Sequence, residues 1–246
     1  MIDALCGVSI NRADRNKAIG AVIDRPAHRN NVTGCSDKET GDCTSAWGDM
    51  STIVVARKGG QAAIGADTLT CLGTTKESAA YVANHSKIIR VGDSYLAVVG
   101  HAAWPLLLSS YFARQTEAPS LESARAIFEA ARELHRALKE EYFLNPSADS
   151  DDEFESSQFD CLIANRWGIF GLYALRSVQE YTRFYAFGSG YGYALGAMHA
   201  VYDKANSAEE VVRIGLEASA EFDGPTGLPI EIRSTHLGCS FGASAE

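Results

Sequence analysis

Met50-Ser51-Thr52-Ile53-Val54-Val55-Ala56-Arg57-Lys58-Gly59-Gly60-Gln61-Ala62-Ala63-Ile64-Gly65-Ala66-Asp67 is an apolar, β-branched run, a Gly-Gly pair, and a second apolar run closed by an acid. These signals predict a β-hairpin. The first strand stands directly behind a Met and two small hydroxyl residues. If the chain began at Ser51, a free α-amino group would sit beside a hydroxyl nucleophile.

Residues 1–49 mix Arg, Asn, Asp, Gly and Ser without apolar periodicity, as in Asn11–Lys17 and Arg25–Asn31, and read as solvated chain. We divide the sequence into an extension (1–50), one domain (51–237) and a small polar tail (238–246). The extension has three explanations: a propeptide, a disordered tail, or a reading frame begun at the wrong Met. The position of Met50 against the strand favours the third, with initiator-Met removal exposing Ser51.

The remaining chain, roughly 190 residues, suits one domain with a sizeable core. With 46% hydrophobic and 22% charged residues, the composition is that of a globular protein. A net charge of −9 argues against a nucleic-acid partner, which requires a basic footprint. No apolar run approaches the roughly 18 residues of a membrane span, and no signal-peptide core precedes the domain, so a cytoplasmic protein is expected. The six cysteines form no C-x-x-C pair and read as reduced thiols.

Beyond the hairpin, Asp67–Gly73 reads as an extended turn or short strand and 74–86 as a polar loop. Lys87–Val91 and Ser94–Val99 form the next strand pair. Gly100–Ala103 opens a helix with Pro105 in its first turn and Leu106, Leu107, Ser110 and Tyr111 as its packing face; the stretch 102–115 is a candidate interface element. A second helix is predicted from an N-cap at Ser120, with Leu121, Ala124, Ile127, Phe128, Ala131, Leu134 and Leu138 at helical spacing. The acidic loop 145–157 lacks the EF-hand pattern and reads as solvated. Strands follow at 160–165, 169–174, 177–181 and 184–187, then a helix over 191–204. Ser207-Ala208-Glu209-Glu210 is a capping box opening a helix on Val211, Ile214, Ala218 and Phe222. Residues 229–234 supply a last strand.

Strands, two helices, strands, two helices and a strand do not alternate as βαβ units. They predict an α+β fold: two antiparallel sheets with a helix pair on each outer face, a four-layer α/β/β/α sandwich.

In this order, Ser51-Thr52-Ile53-Val54, Ala66-Asp67, Lys87, Gly100, Gly188-Ser189-Gly190 and Asp223 resemble the proteasome β-type subunits of the N-terminal nucleophile hydrolases. The similarity covers roughly Ser51 to Leu237 and extends to the β-proteobacterial proteasome homologue and the HslUV-type peptidase subunit. The resemblance implies a threonine-type endopeptidase, here with Ser51 as nucleophile where the family usually has Thr. Thr52 is the rival, though the spacing to Asp67 favours Ser51. It further implies Asp67 supporting Lys87, and Gly100 supplying the oxyanion-hole N–H. Ser189 and Asp223 would hold the amine and its water, with Thr226 at a frequent hydroxyl position.

On the residues alone, Asp67 and Lys87 equally fit a structural ion pair, and Gly188–Gly190 a strand-to-helix turn. His101 is a candidate lining residue, whereas His135 and His199 read as packing or interface residues. Val98 and the Cys71 region would shape the primary pocket. No cofactor or metal is implied. Expected partners are a peptide or unfolded protein and further copies of the chain in stacked rings (heptameric rather than hexameric); an ATP-dependent unfoldase is a candidate partner that no residue pattern here points to. Two other functions are open: a catalytically silent ring whose nucleophile stays capped by residues 1–50, and a non-proteolytic amidase.

Overall fold

The computed structural model describes residues 51–146 and 153–238. The readings of 1–50 and of most of the tail lie outside these residues, as does the centre of the acidic loop.

The opening hairpin forms as its sequence dictates. Strands β1 (Thr52–Lys58) and β2 (Gln61–Asp67) pair antiparallel, with Lys58 opposite Gln61. Gly59 and Gly60 turn the chain at φ +59° and +75°, the left-handed geometry of a two-residue hairpin. Both faces of β1 are covered, which is why its apolar run is continuous. Ile53 and Val55 enter one apolar cluster, Val54 and Ala56 another.

Strands β3 (Thr70–Leu72) and β4 (Thr75–Glu77) form a small separate hairpin. β4 corrects the reading of 74–86 as loop throughout; its Thr-Lys-Glu sequence is polar because no core covers it. β5 (Ile88–Val91) and β6 (Ser94–Gly100) come next, followed by helices α1 (Trp104–Ala113) and α2 (Ala124–Glu140). The second half comprises β7 (Phe159–Ala164), β8 (Ile169–Leu172), β9 (Val178–Tyr181), β10 (Phe184–Gly188), α3 (Tyr191–Val201), α4 (Ala208–Phe222) and β11 (Ile230–His236).

One sheet has the order β10-β1-β2-β11 and the other β5-β6-β7-β8-β9, and every pairing is antiparallel. Helices α3 and α4 pack on the first sheet, α1 and α2 on the second. Three apolar clusters fill the three spaces of this α/β/β/α sandwich. Gly65 shows how close the layers come: a Cβ there would lie 2.5 Å from Val212 Cγ1 in α4.

Helix boundaries and faces depart from expectation where local signals compete. The N-cap of α2 is Ser123, whose hydroxyl accepts the Ala126 N–H at 3.2 Å, not Ser120. Asn165 Nδ2 instead takes the Leu121 carbonyl at 2.7 Å, holding this stretch outside the helix. Helix α1 starts at Trp104, after a turn over 101–103, and buries Trp104 and Leu108. Leu106 (61% exposed) and Ser110 face outward, and so does Phe128 of α2. In α4 the capping Ser207 accepts the Glu210 N–H at 3.1 Å. The buried face of α4, however, is Val211, Val212, Gly215, Leu216 and Ser219, with Phe222 67% exposed. His199 is exposed rather than packed.

Candidate active site

The site gathers where β1 begins, β2 ends, and the β10–α3 and α4–β11 turns meet. Its centre is Asp67, the last residue of β2 and wholly buried. Asp67 Oδ1 accepts the Thr52 N–H at 3.0 Å and the Lys87 ammonium at 2.8 Å. Oδ2 accepts the N–H groups of Leu69 at 3.0 Å and Gly227 at 3.3 Å. Lys87, also buried, gives a second hydrogen bond to the Leu69 carbonyl at 2.6 Å.

Burial raises the Asp67 carboxyl above its ordinary value, against the opposing pull of Lys87 and the Thr52 and Gly227 N–H groups. The same burial lowers the Lys87 ammonium, and Asp67 opposes that shift. The result is an ion pair, just beneath the start of β1, whose mutual attraction offsets only part of the effect of burial.

Ser51 stands immediately before β1. Its carbonyl accepts the Ser189 N–H at 2.9 Å. Gly188, at φ +98°, permits this approach: a Cβ there would fall 1.8 Å from the Ser51 oxygen. Ser51 is 8% exposed and lines a cavity with Thr70, Cys71, Lys87, Val98, Gly100 and His101. Gly100 ends β6 at φ +128°, a conformation reserved for glycine, and its Cβ position is hemmed by Gln158 O and the Trp104 ring, each at 3.0 Å. Burial pushes the Cys71 thiol up, which disfavours a thiolate in that wall.

Thr52 is different. It is 0% exposed, and its hydroxyl is engaged twice: it accepts the Gly190 N–H at 3.0 Å and lies 2.7 Å from Thr226 Oγ1. Thr226 Oγ1 donates to Asp223 Oδ2 at 2.5 Å. A carboxylate only accepts, so the hydrogen between the two threonines comes from Thr52. Ser189 Oγ donates to the same Asp223 oxygen at 2.6 Å. Asp223 therefore gathers two hydroxyls beside Ser51, and a Cβ on Gly190 would clash with Thr52 Oγ1 at 2.5 Å.

All eight residues singled out from sequence meet in this region: Ser51, Thr52, Asp67, Lys87, Gly100, Ser189, Asp223 and Thr226. The sequence reading missed Asn84, His85 and Ser86, which also line the cavity; their one signal was adjacency to Lys87. Val98 and Cys71 do line it, as does His101. Among the described residues no group of three or more His, Cys, Asp or Glu could hold a metal ion, and no helix is long and apolar enough to cross a membrane.

No protein-family model and no curated protein matches the chain. Solved structures do. Thiobacillus denitrificans BPH is 51% identical, with 76% of this chain and 99% of that chain covered and a TM-score of 0.73. The same protein in complex with epoxomicin matches at 51% identity and a TM-score of 0.72, with the same coverage. HslV from Trypanosoma brucei shares the fold at 18% identity, 75% and 99% coverage and a TM-score of 0.54. At 51% identity over the aligned residues, with 99% of that structure covered, this chain belongs to the proteasome β-type family of N-terminal nucleophile hydrolases, the proteasome-like peptidases.

Proposed function

We propose that the protein is an endopeptidase whose nucleophile is the Ser51 hydroxyl, with the α-amine of Ser51 as its base once the chain begins there. The observation that carries this reading is the contrast between neighbours. Ser51 lines the cavity, whereas Thr52 is wholly buried with its hydroxyl committed to Gly190 and Thr226.

In this reading a free Ser51 amine, with an ordinary pKa of about 7.7–8.0, takes the proton from Ser51 Oγ as that oxygen attacks the substrate carbonyl. The Gly100 N–H faces the tetrahedral oxyanion; the loss of such a donor costs about 2.7–4 kcal/mol in comparable sites. The amine then passes its proton to the departing substrate nitrogen, the C–N bond breaks, and an ester on Ser51 remains. Water attacks that ester with the same amine as base, releasing the new carboxyl end. Lys87 keeps the amine neutral and favours the developing alkoxide, and Asp67 holds Lys87 in place. Ser189, Asp223 and Thr226 orient the amine and the water.

The working form is a homo-oligomer of stacked rings with peptide or unfolded protein as substrate, fed by an ATP-dependent unfoldase. The reading is tested by intact and native mass spectrometry together with a peptide-cleavage assay. A chain starting at Ser51 in a multi-subunit ring that cleaves peptides supports it. A chain that retains residues 1–50 and still cleaves peptides at full rate overturns it.

A further inference from the structure

Gln158 stands directly before β7 with φ +58°, a left-handed conformation rare for a residue with a side chain. Such outliers persist where their surroundings hold them. Its carbonyl accepts the Trp104 Nε1–H at 3.1 Å and lies 3.0 Å from the Cβ position of Gly100. Gly100 and Phe159 are partners in the β6–β7 ladder, and Phe159 packs on Trp104 with ring centroids 4.7 Å apart. The peptide of Gly100 is thus backed by the carbonyl of a strained residue.

The preceding residues hold that strain. The Ser157 N–H donates to the Ala174 carbonyl at 2.7 Å, and Ser156 Oγ accepts the Gln158 N–H at 3.0 Å. Ser157 Oγ lies 2.9 Å from His135 Nδ1 on α2, and both side chains are buried. His135 Nε2 is 3.2 Å from Glu155 Oε2. A carboxylate only accepts, so Nε2 carries the imidazole hydrogen, Nδ1 accepts, and Ser157 Oγ–H donates. Burial lowers the His135 pKa, which keeps this neutral tautomer in place. The series has the composition of a nucleophilic triad, but Ser157 is 4% exposed and Arg176 Nη1 also donates to its oxygen at 3.5 Å, so it braces rather than attacks.

We infer that His135, acting through Ser157 and the strained Gln158, is a positioning residue for the Gly100 N–H at the cavity that holds Ser51. This rests on the reading of Ser51 and Gly100 given above. A small displacement of an oxyanion donor weakens transition-state binding without touching substrate binding.

The test measures kcat and KM on a fluorogenic peptide, with kcat counted per chain beginning at Ser51. His135→Leu removes the acceptor at one end of the series. Trp104→Phe removes the N–H at the other and keeps an aromatic ring against Phe159. Both are expected to lower kcat by about ten- to a hundredfold with KM changed less than about twofold. His135→Asn, whose amide reaches the Nδ1 position, is expected to restore most of the loss. An active unaltered protein with kcat unchanged in the His135→Leu variant overturns this inference alone, whatever Trp104→Phe does. An unaltered protein with free Ser51 that cleaves no peptide overturns the parent reading and this one with it.

Discussion

Asp67 binds Lys87 through Oδ1, the same carboxylate oxygen that receives the Thr52 N–H. One atom thus joins the cation beneath the cavity to the backbone that follows Ser51. Replacing Asp67 disturbs both at once, and the two consequences separate experimentally.

Asp67→Asn and Lys87→Met each leave a buried charge without its partner, and each is expected to cost about 3–5 kcal/mol of stability. The double variant removes both charges and should recover most of that loss while remaining inactive. Denaturant titration beside a peptide assay checks this; a double variant less stable than either single one sinks it.

Ser51→Ala and Thr52→Val should divide chemistry from architecture. The first removes the proposed nucleophile and should lower kcat at least about a thousandfold with the fold intact. The second keeps shape but strands the Gly190 N–H, and should cost about 1–3 kcal/mol while leaving substantial activity. The reverse ranking of activities would make Thr52 the reacting residue.

Gly188→Ala should be among the most damaging single-methyl changes in the molecule. Its Cβ would occupy the space of the Ser51 oxygen, at a φ that L residues avoid. Strain and forced displacement together predict a loss of about 2–5 kcal/mol and of activity. Thermal unfolding and peptide cleavage report the two effects.

The lowered Lys87 pKa gives a pH signature with opposite signs in activity and stability. Lys87 loses its charge at lower pH than an exposed lysine, so the alkaline limb of activity should fall below the ordinary lysine value. Across that window the unfolded chain still binds the proton that the folded chain has released, so stability rises with pH. Asp67 acts at the acid end: its raised folded pKa means the native state keeps a proton the unfolded chain has lost, so stability falls as pH rises there. Parallel profiles of kcat and unfolding free energy test both signs; an alkaline limb at or above the exposed-lysine value contradicts the first.

The hairpin and the sandwich were legible because they rest on strong local signals. Gly59-Gly60 accepts the positive φ that a two-residue hairpin demands, and Ile53–Ala56 is apolar on both faces because both are covered. Ser207 was legible as a cap because its hydroxyl and Glu210 N–H lie three residues apart. Helix phase was harder to read. Phe222 and Leu106 match a helical period but sit on the outer side, since periodicity reports spacing and not which stripe meets a sheet. Ser120 lost to Ser123 because Asn165, more than forty residues away, takes the Leu121 carbonyl. In the site, Asp67 and Lys87 were legible through the family resemblance, since on the residues alone they fit a structural ion pair equally well. The link from Thr52 through Thr226 to Asp223 was not, because it spans 174 positions and consists of ordinary hydroxyls.

Ser51 is attached to a strand covered on both faces, in which Thr52 to Ala56 are wholly buried. Amides of such a strand exchange with solvent only when the whole domain opens. The proposed nucleophile therefore has no melting point of its own: heat should end peptide cleavage and unfold the protein in one transition, and deuterium should reach Ile53–Ala56 late, with the slowest amides of the domain.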